Sequence, residues 1–238
     1  MVYSTGILVR SVIGMRMRKK KNLEERLAAV QDYLVDIGET KGGYDGLPFE
    51  AQALDLQELF GNNHPVELEI GCGKGQFATE LAKRNPARNI LAVEINPNVI
   101  VLACEKAKNA ELQNLRFLKI GAEKLGVLLP EESVTRIYLN FSCPFPKKRQ
   151  AKRRLTHDSF LHIYEKILVP GGEIRQKTDN RILFESSLCA FSRCRFELTD
   201  VTLDLHENEP ADNIMTEYET RFVSLGQPIY ALRARKSE

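Results

Sequence analysis

Val66-Glu67-Leu68-Glu69-Ile70-Gly71-Cys72-Gly73-Lys74-Gly75-Gln76 is the stretch on which the reading of this chain turns. Val66, Leu68 and Ile70 alternate as on a strand, three glycines follow at every second position, and a helical pattern opens at Phe77. Glycine lets the backbone take positive φ and lets a ligand approach with no Cβ in the way. A strand-turn-helix of this kind predicts a nucleotide-like ligand over the carboxyl end of a parallel sheet.

The spacing narrows the ligand. A dinucleotide fingerprint is G-x-G-x-x-G, and here the third glycine, Gly75, comes one residue early. Glu69 at the turn would repel a diphosphate and receive a cation. Glu94 ends the next apolar run, Ile90 to Val93, at the distance where an acid grips ribose hydroxyls. Gly71, Gly73 and Gly75 with these two acids resemble the S-adenosylmethionine site of Rossmann-like class I methyltransferases, whose donor carries a sulfonium and an ammonium.

Composition sets outer bounds. The 238 residues suit one domain with a sizeable core, and 43% hydrophobic content is ordinary. No apolar run is long enough to span a bilayer. Five cysteines, odd in number and without metal-ligand pairing, predict free thiols, no metal and a cytoplasmic protein. The net charge of +2 says little about a nucleic-acid partner, so only the placement of charge does.

Residues 1–21 read as a basic, flexible extension, with Met1, Met15 and Met17 all possible starts, and the methyltransferase domain as 22–238. Asn22 is an N-cap candidate for a helix over Leu23 to Val35, whose Leu23, Leu27, Val30 and Leu34 share a face. Gly42 to Pro48 reads as a linker. From Val66 strands and helices alternate, with strands at 66–70, 90–94, 115–119, 135–141 and 172–177, and helices at 76–84, 97–109, 157–168 and 180–192. This is a doubly wound, mainly parallel α/β sheet. Phe196 to Leu205 and Arg221 to Arg235 read as two long strands that close it with an antiparallel edge pair.

The fourth strand runs out into Asn140-Phe141-Ser142-Cys143-Pro144-Phe145-Pro146, and six of the next eight residues are basic. That exit lies beside the glycine turn, so Phe145 offers a face for a base and the lysines and arginines offer phosphate contacts. Lys177-Thr178-Asp179-Asn180 and Asn213-Ile214-Met215-Thr216-Glu217-Tyr218-Glu219 converge on the same edge. These two are either turns and caps or binding loops, and the placement favours Asp179, Thr216 and Glu219 as functional. His157 and His162 read as structural, and His206 has no evident partner.

Together LEIGCGKGQF, IYLNFSCPFPKKRQAKRRLT, GEIRQKTDN and NIMTEYE resemble the bacterial tRNA (guanine-N7-)-methyltransferase family, from about Met15 onward. The resemblance implies methyl transfer from S-adenosylmethionine to N7 of a guanosine in the variable loop of tRNA, by a monomer or weak homodimer. It implies cofactor contacts at Glu69, Gly71, Gly73, Gly75, Glu94, Gly121 and Cys143, and substrate contacts at Lys147, Asp179, Thr216, Glu217, Tyr218 and Glu219. Four positions depart from the family pattern. Cys143 stands where the family has a catalytic Asp, with Phe145 for Trp; Gly121 stands where an acid follows strand three, with Glu123 nearby; and Gln150 replaces a frequent His. A catalytically weakened tRNA-binding protein of the same fold is the alternative that Cys143 raises. An exocyclic-amine methyltransferase is disfavoured, because Cys143 breaks the paired prolines of an N-P-P-Y loop.

Overall fold

The computed structural model describes residues 20–37 and 53–237. The basic cluster before residue 20 and the linker from Gly42 to Pro48 lie outside them. Seven strands form one sheet in the order β3-β2-β1-β4-β5-β7-β6. In chain order these are β1 (Val66–Ile70), β2 (Asn89–Val93), β3 (Leu115–Leu118), β4 (Val134–Asn140), β5 (Leu168–Thr178), β6 (Glu197–Thr202) and β7 (Tyr230–Arg235). The pairings among β1 to β5 are parallel, while β7 pairs antiparallel with both β5 and β6. The chain winds outward from β1 through β2 to β3, then returns to place β4 on the other side of β1. That reversal opens a crevice between β1 and β4 at their carboxyl ends.

Helices cover both faces. The helices α1 (Leu23–Ala28), α3 (Gln76–Arg84) and α4 (Pro97–Asn109) pack on one side around Phe77, Leu81, Ile100, Val101 and Phe117. The other side is packed by α2 (Leu56–Phe60), α5 (Leu125–Leu128), α6 (Asp158–Ile167) and α7 (Arg181–Arg193), around Leu68, Leu125, Tyr164 and Phe184. A sheet covered on both faces buries every residue of a central strand. All five residues of β1 are accordingly buried, Glu67 and Glu69 included. Glu67 is held by Tyr138, Arg136 and Arg88.

Local chemistry sets the helix starts. Asn96 caps α4, accepting from the Asn98 amide at 2.9 Å, with Pro97 in the first helical position. Asn180 caps α7 in the same way through the Leu183 amide. The N-terminal helix is shorter than its periodicity predicts. It stops at Ala28, a 3-10 turn follows over Gln31–Tyr33, and Asn22 sits at φ 55 without capping. Arg26 instead forks onto Glu105 at 2.7 and 2.6 Å, and the Val35 amide donates to the Phe117 carbonyl at the β3 edge. Those contacts fix residues 20–37 to the sheet's rim. The tail also departs from expectation, because Arg221 to Ser224 belong to a helix, α8 (Glu217–Ser224), and not to a strand. Thr216 and Glu219 form a reciprocal capping box that commits this segment to helix.

Candidate active site

The crevice between β1 and β4 opens into a cavity of about 900 Å³ lined by the glycine turn, the ends of β2 and β4, the Gly121 to Glu123 turn and the start of α8. Gly71, Gly73 and Gly75 all take positive φ, 80°, 56° and 73°. The turn is tied down from below, with the Gly71 and Cys72 amides donating to the Val93 carbonyl at 2.8 and 3.0 Å. Glu94 straps it from the side, accepting from the Gly73 amide at 3.2 Å and the Asn96 amide at 2.9 Å. Gly71 and Gly73 border the cavity, and Gly75 does not. A Cβ on Gly75 would lie 2.7 Å from the Ala103 Cβ, so this glycine serves the close crossing of α3 on α4.

Glu69 is the most informative group. It is 3% exposed, Asn140 Nδ2 donates to Oε1 at 3.1 Å, and Oε2 has no hydrogen-bond partner. Burial pushes its carboxyl up to about 7, against the pull of the Asn140 amide, the Ala78 backbone N–H and the Lys177 charge. An orphaned carboxylate oxygen facing a glycine cradle fits a cationic ligand. The cavity residues therefore suit S-adenosylmethionine, with Ile70, Val99 and Ile120 as apolar wall and Glu69, Glu94 and Glu123 as acids. Gly121 lacks a side chain, and the Glu123 carboxylate folds over it: a Cβ there would meet both carboxylate oxygens at 2.3 Å.

The opposite wall comes from the loop after β4 and from α8. Cys143 is exposed and borders the cavity, and no acid replaces it among the lining residues of that loop. Lys147 is exposed and lies off the cavity wall, while Lys152 and Arg153 of the 3-10 turn that follows it, Lys148–Arg153, line the cavity. Not all of the basic run reaches outward. Arg154 donates to the Pro144 and Phe145 carbonyls at 3.0 and 3.2 Å, and the Arg153 guanidinium lies 4.6 Å above the Phe145 ring.

Asp179 is half-buried at the β5 exit, off the cavity wall, and burial raises its carboxyl. Thr216 and Glu217 line the cavity, and Glu217 bridges to Lys74 in the glycine turn at 3.2 Å. Glu219 does not line it. This residue is 0% exposed, bonded to Lys177 Nζ at 2.5 Å and to Asn213 Nδ2 at 2.9 Å. It is thus a neutralised structural carboxylate beneath the wall. His206 does have a partner, Glu209 at 3.2 Å from its Nδ1, while its Nε2 lies 3.2 Å from Glu219 without a hydrogen bond.

Lys177 is the residue the sequence reading passed over. Its ammonium, pulled below the usual range by burial and held up by Glu219, also donates to Asn213 Oδ1 at 3.0 Å and the Ile214 carbonyl at 2.8 Å. It pins the whole 213–219 segment to β5. The one available signal was a lysine set within a strand of a sheet that is covered on both faces. A second, smaller cavity of about 260 Å³ lies between α3, the sheet and residues 205–214. Its arginines, Arg84, Arg136, Arg175 and Arg233, are engaged by Glu80, Glu67, Glu173, Asp200 and Asp212.

Sheet order, glycine turn and acid-lined crevice define a class I methyltransferase. Solved structures agree on the fold. A 16S rRNA methyltransferase, KamB, superposes with TM-score 0.58 at 19% identity, over 79% of this chain and 95% of that one. A SAM-dependent methyltransferase from Aquifex aeolicus gives 0.53 at 13% identity, over 76% and 87%. The family described as "Putative methyltransferase" matches residues 63–232. Among curated relatives, the tRNA (guanine-N(7)-)-methyltransferase of Geobacillus sp. (strain WCH70) is 46% identical, over 91% of this chain and 93% of its own. That of Bacillus subtilis (strain 168) is 45% identical, over 91% and 96%. The chain belongs to the tRNA (guanine-N(7)-)-methyltransferase family.

Proposed function

We propose that this protein moves the methyl group of S-adenosylmethionine to N7 of a guanosine in tRNA, the target being in the variable loop. The observation that carries the reading is the juxtaposition, across one crevice, of an acid-lined glycine cradle with an aromatic and basic rim. Bound in the cradle, the donor supplies an electrophilic sulfonium methyl. Glu69 receives its ammonium, Glu94 and Glu123 its hydroxyl and amine donors, and Gly71 and Gly73 leave room for its backbone-like portion.

Guanine N7 carries an in-plane lone pair, so no residue has to remove a proton before attack. The N7–C bond forms as the S–C bond breaks, and the positive charge passes from sulfur to the base. Catalysis is then alignment together with stabilisation of the charge on the purine. Cys143 supplies no negative charge where the family has a carboxylate, which slows the chemical step by roughly 10²–10³ relative to an acid there. Lys147, Lys148, Arg149 and Lys152 are exposed beside the crevice and are placed for tRNA phosphates. Lys177 and the α8 cap hold the acceptor wall in register with the cradle.

Among the described residues no helix is long and apolar enough to cross a membrane, and no cluster of His, Cys, Asp and Glu could hold a metal. We infer a cytoplasmic protein that works as a monomer or weak homodimer. The deciding experiment is transfer of radiolabelled methyl to unmodified tRNA, with nuclease digestion to locate the product. Label recovered as 7-methylguanosine is the expected result. No transfer above background, with tRNA binding retained, would leave the weakened tRNA-binding protein that the exposed Cys143 favours.

A further inference from the structure

Sequence points to Phe145 as the face on which an acceptor base would lie, and that ring borders the cavity with the Arg153 guanidinium over it at 4.6 Å. Across the same wall, three rings form a layer. Phe141 and Tyr218 are 6.1 Å apart with planes 19° from parallel, Phe141 and Phe222 are 6.0 Å apart at 20°, and Tyr218 and Phe222 are 6.5 Å apart at 22°. The layer rests on Leu205, Ile229 and Ala231. Only Tyr218 is largely open, 58% exposed, and it borders the cavity together with the glycine turn and Cys143.

Two features make this more than a stray surface aromatic. Phe141 sits at φ 49, a conformation that costs a bulky side chain energy and that persists only where surrounding structure enforces it. Tyr218 lies in the first turn of α8, whose frame is set by the Thr216–Glu219 box and by Lys177. The ring is therefore presented from a fixed mount. Arg221, one turn along the same helix, also borders the cavity and suits the phosphate of a stacked nucleotide.

We propose that Tyr218, backed by Phe141 and Phe222, is the platform on which the acceptor guanine stacks, and that its π face stabilises the positive charge the base acquires. This rests on the methyltransferase reading above. A purine with a methyl arriving at N7 becomes cationic, and a cation over an aromatic face is attracted by the ring quadrupole. In a crevice without a carboxylate at Cys143, the ring adds negative potential on a wall whose acid, Glu217, is bridged to Lys74. Stacking alone would act on tRNA binding, whereas charge stabilisation acts on kcat.

The chain has no tryptophan, so Tyr218→Trp installs a sole indole reporter on the platform. With S-adenosylhomocysteine present, unmodified tRNA should quench its fluorescence, and a tRNA carrying uridine at the target position should quench it far less. In steady-state kinetics Tyr218→Trp should keep most activity. Tyr218→Leu should lose roughly 10- to 100-fold in kcat/KM for tRNA, shared between kcat and KM, with S-adenosylhomocysteine affinity intact. Phe145→Leu should lose less. An unchanged unfolding midpoint for Tyr218→Leu shows that the loss is not one of folding. Equal quenching by both tRNAs, or a Phe145→Leu loss matching Tyr218→Leu, overturns the platform; a loss confined to KM overturns the charge role. If the wild-type protein transfers no methyl, the methyltransferase reading falls while the fluorescence result still decides whether a base stacks on residue 218.

Discussion

Lowering the pH should loosen the donor's hold and tighten the empty fold, through the same side chain. Glu69 is buried with one carboxylate oxygen unpartnered, and its carboxyl is pushed up to about 7. Only the ionised form attracts the ligand's ammonium. The ionised fraction is about 0.75 at about pH 7.5 and about 0.03 at about pH 5.5, so cofactor affinity should fall roughly 25-fold across that interval. Stability runs the other way. The folded-state value lies above the ordinary 4.5, so between about 4.5 and about 7 the folded protein holds the proton while the unfolded chain has released it. Folded stability therefore declines as pH rises through that window, by on the order of 3 kcal/mol in all. Asn140, the Ala78 backbone N–H, Lys177 and Glu94 set the same value and stay in place in Glu69→Gln, whose amide oxygen still accepts from Asn140. Calorimetric titration of S-adenosylhomocysteine over this range should give a sloping affinity for the wild type and a nearly flat, weak one for the variant. Denaturant unfolding of the empty protein should show the variant gaining stability near neutral pH. A flat wild-type profile, or an undiminished slope in Glu69→Gln, refutes the reasoning.

Other expectations follow from the same geometry. Cys143→Asp should raise kcat roughly 10²–10³-fold with little change in cofactor affinity, measured by single-turnover methyl transfer. Lys177→Met takes the ammonium away from the buried Glu219 carboxyl, leaving it the Asn213 and Thr216 hydrogen bonds and the nearby His206 ring, at a cost of about 3 kcal/mol in urea unfolding. Adding Glu219→Gln, which retains a side chain able to complete the cap, should recover most of that stability. Replacing Lys147, Lys148, Arg149 or Lys152 singly by Gln should weaken tRNA binding similarly across tRNA species, and should reduce the salt slope of log K by about 1 wherever a phosphate contact is lost.

Much of the architecture is legible because short-range patterns and tertiary demands agree. Alternation in Val66 to Ile70, the glycines and the 3.6-residue pattern from Phe77 each specify what the sheet requires, and β1 and α3 form where expected. The disagreements have local causes. Arg221 to Ser224 looked extended because its apolar residues were read without the Thr216-x-x-Glu219 box that nucleates the helix. Strand β5 begins at Leu168, four residues before expected, because its irregular register against β4 absorbs Pro170 and Gly171. In the crevice, Glu69 and Glu94 could be read from their distance to the glycines. Lys177 and Tyr218 draw their meaning from partners far along the chain, Glu219 for one and Phe141 for the other.

The position of β7 has a kinetic consequence. β5 pairs on one side with β4, but its other neighbour arrives only with Tyr230–Arg235, which also carries β6 on its far edge. Until that late segment inserts, two strands present unsatisfied amides and carbonyls to any chain nearby. Pairings so distant along the sequence close slowly. Refolding from denaturant should therefore show a concentration-dependent loss to aggregates, and the recovery of methyl transfer should track β7 insertion rather than the earlier collapse around β1.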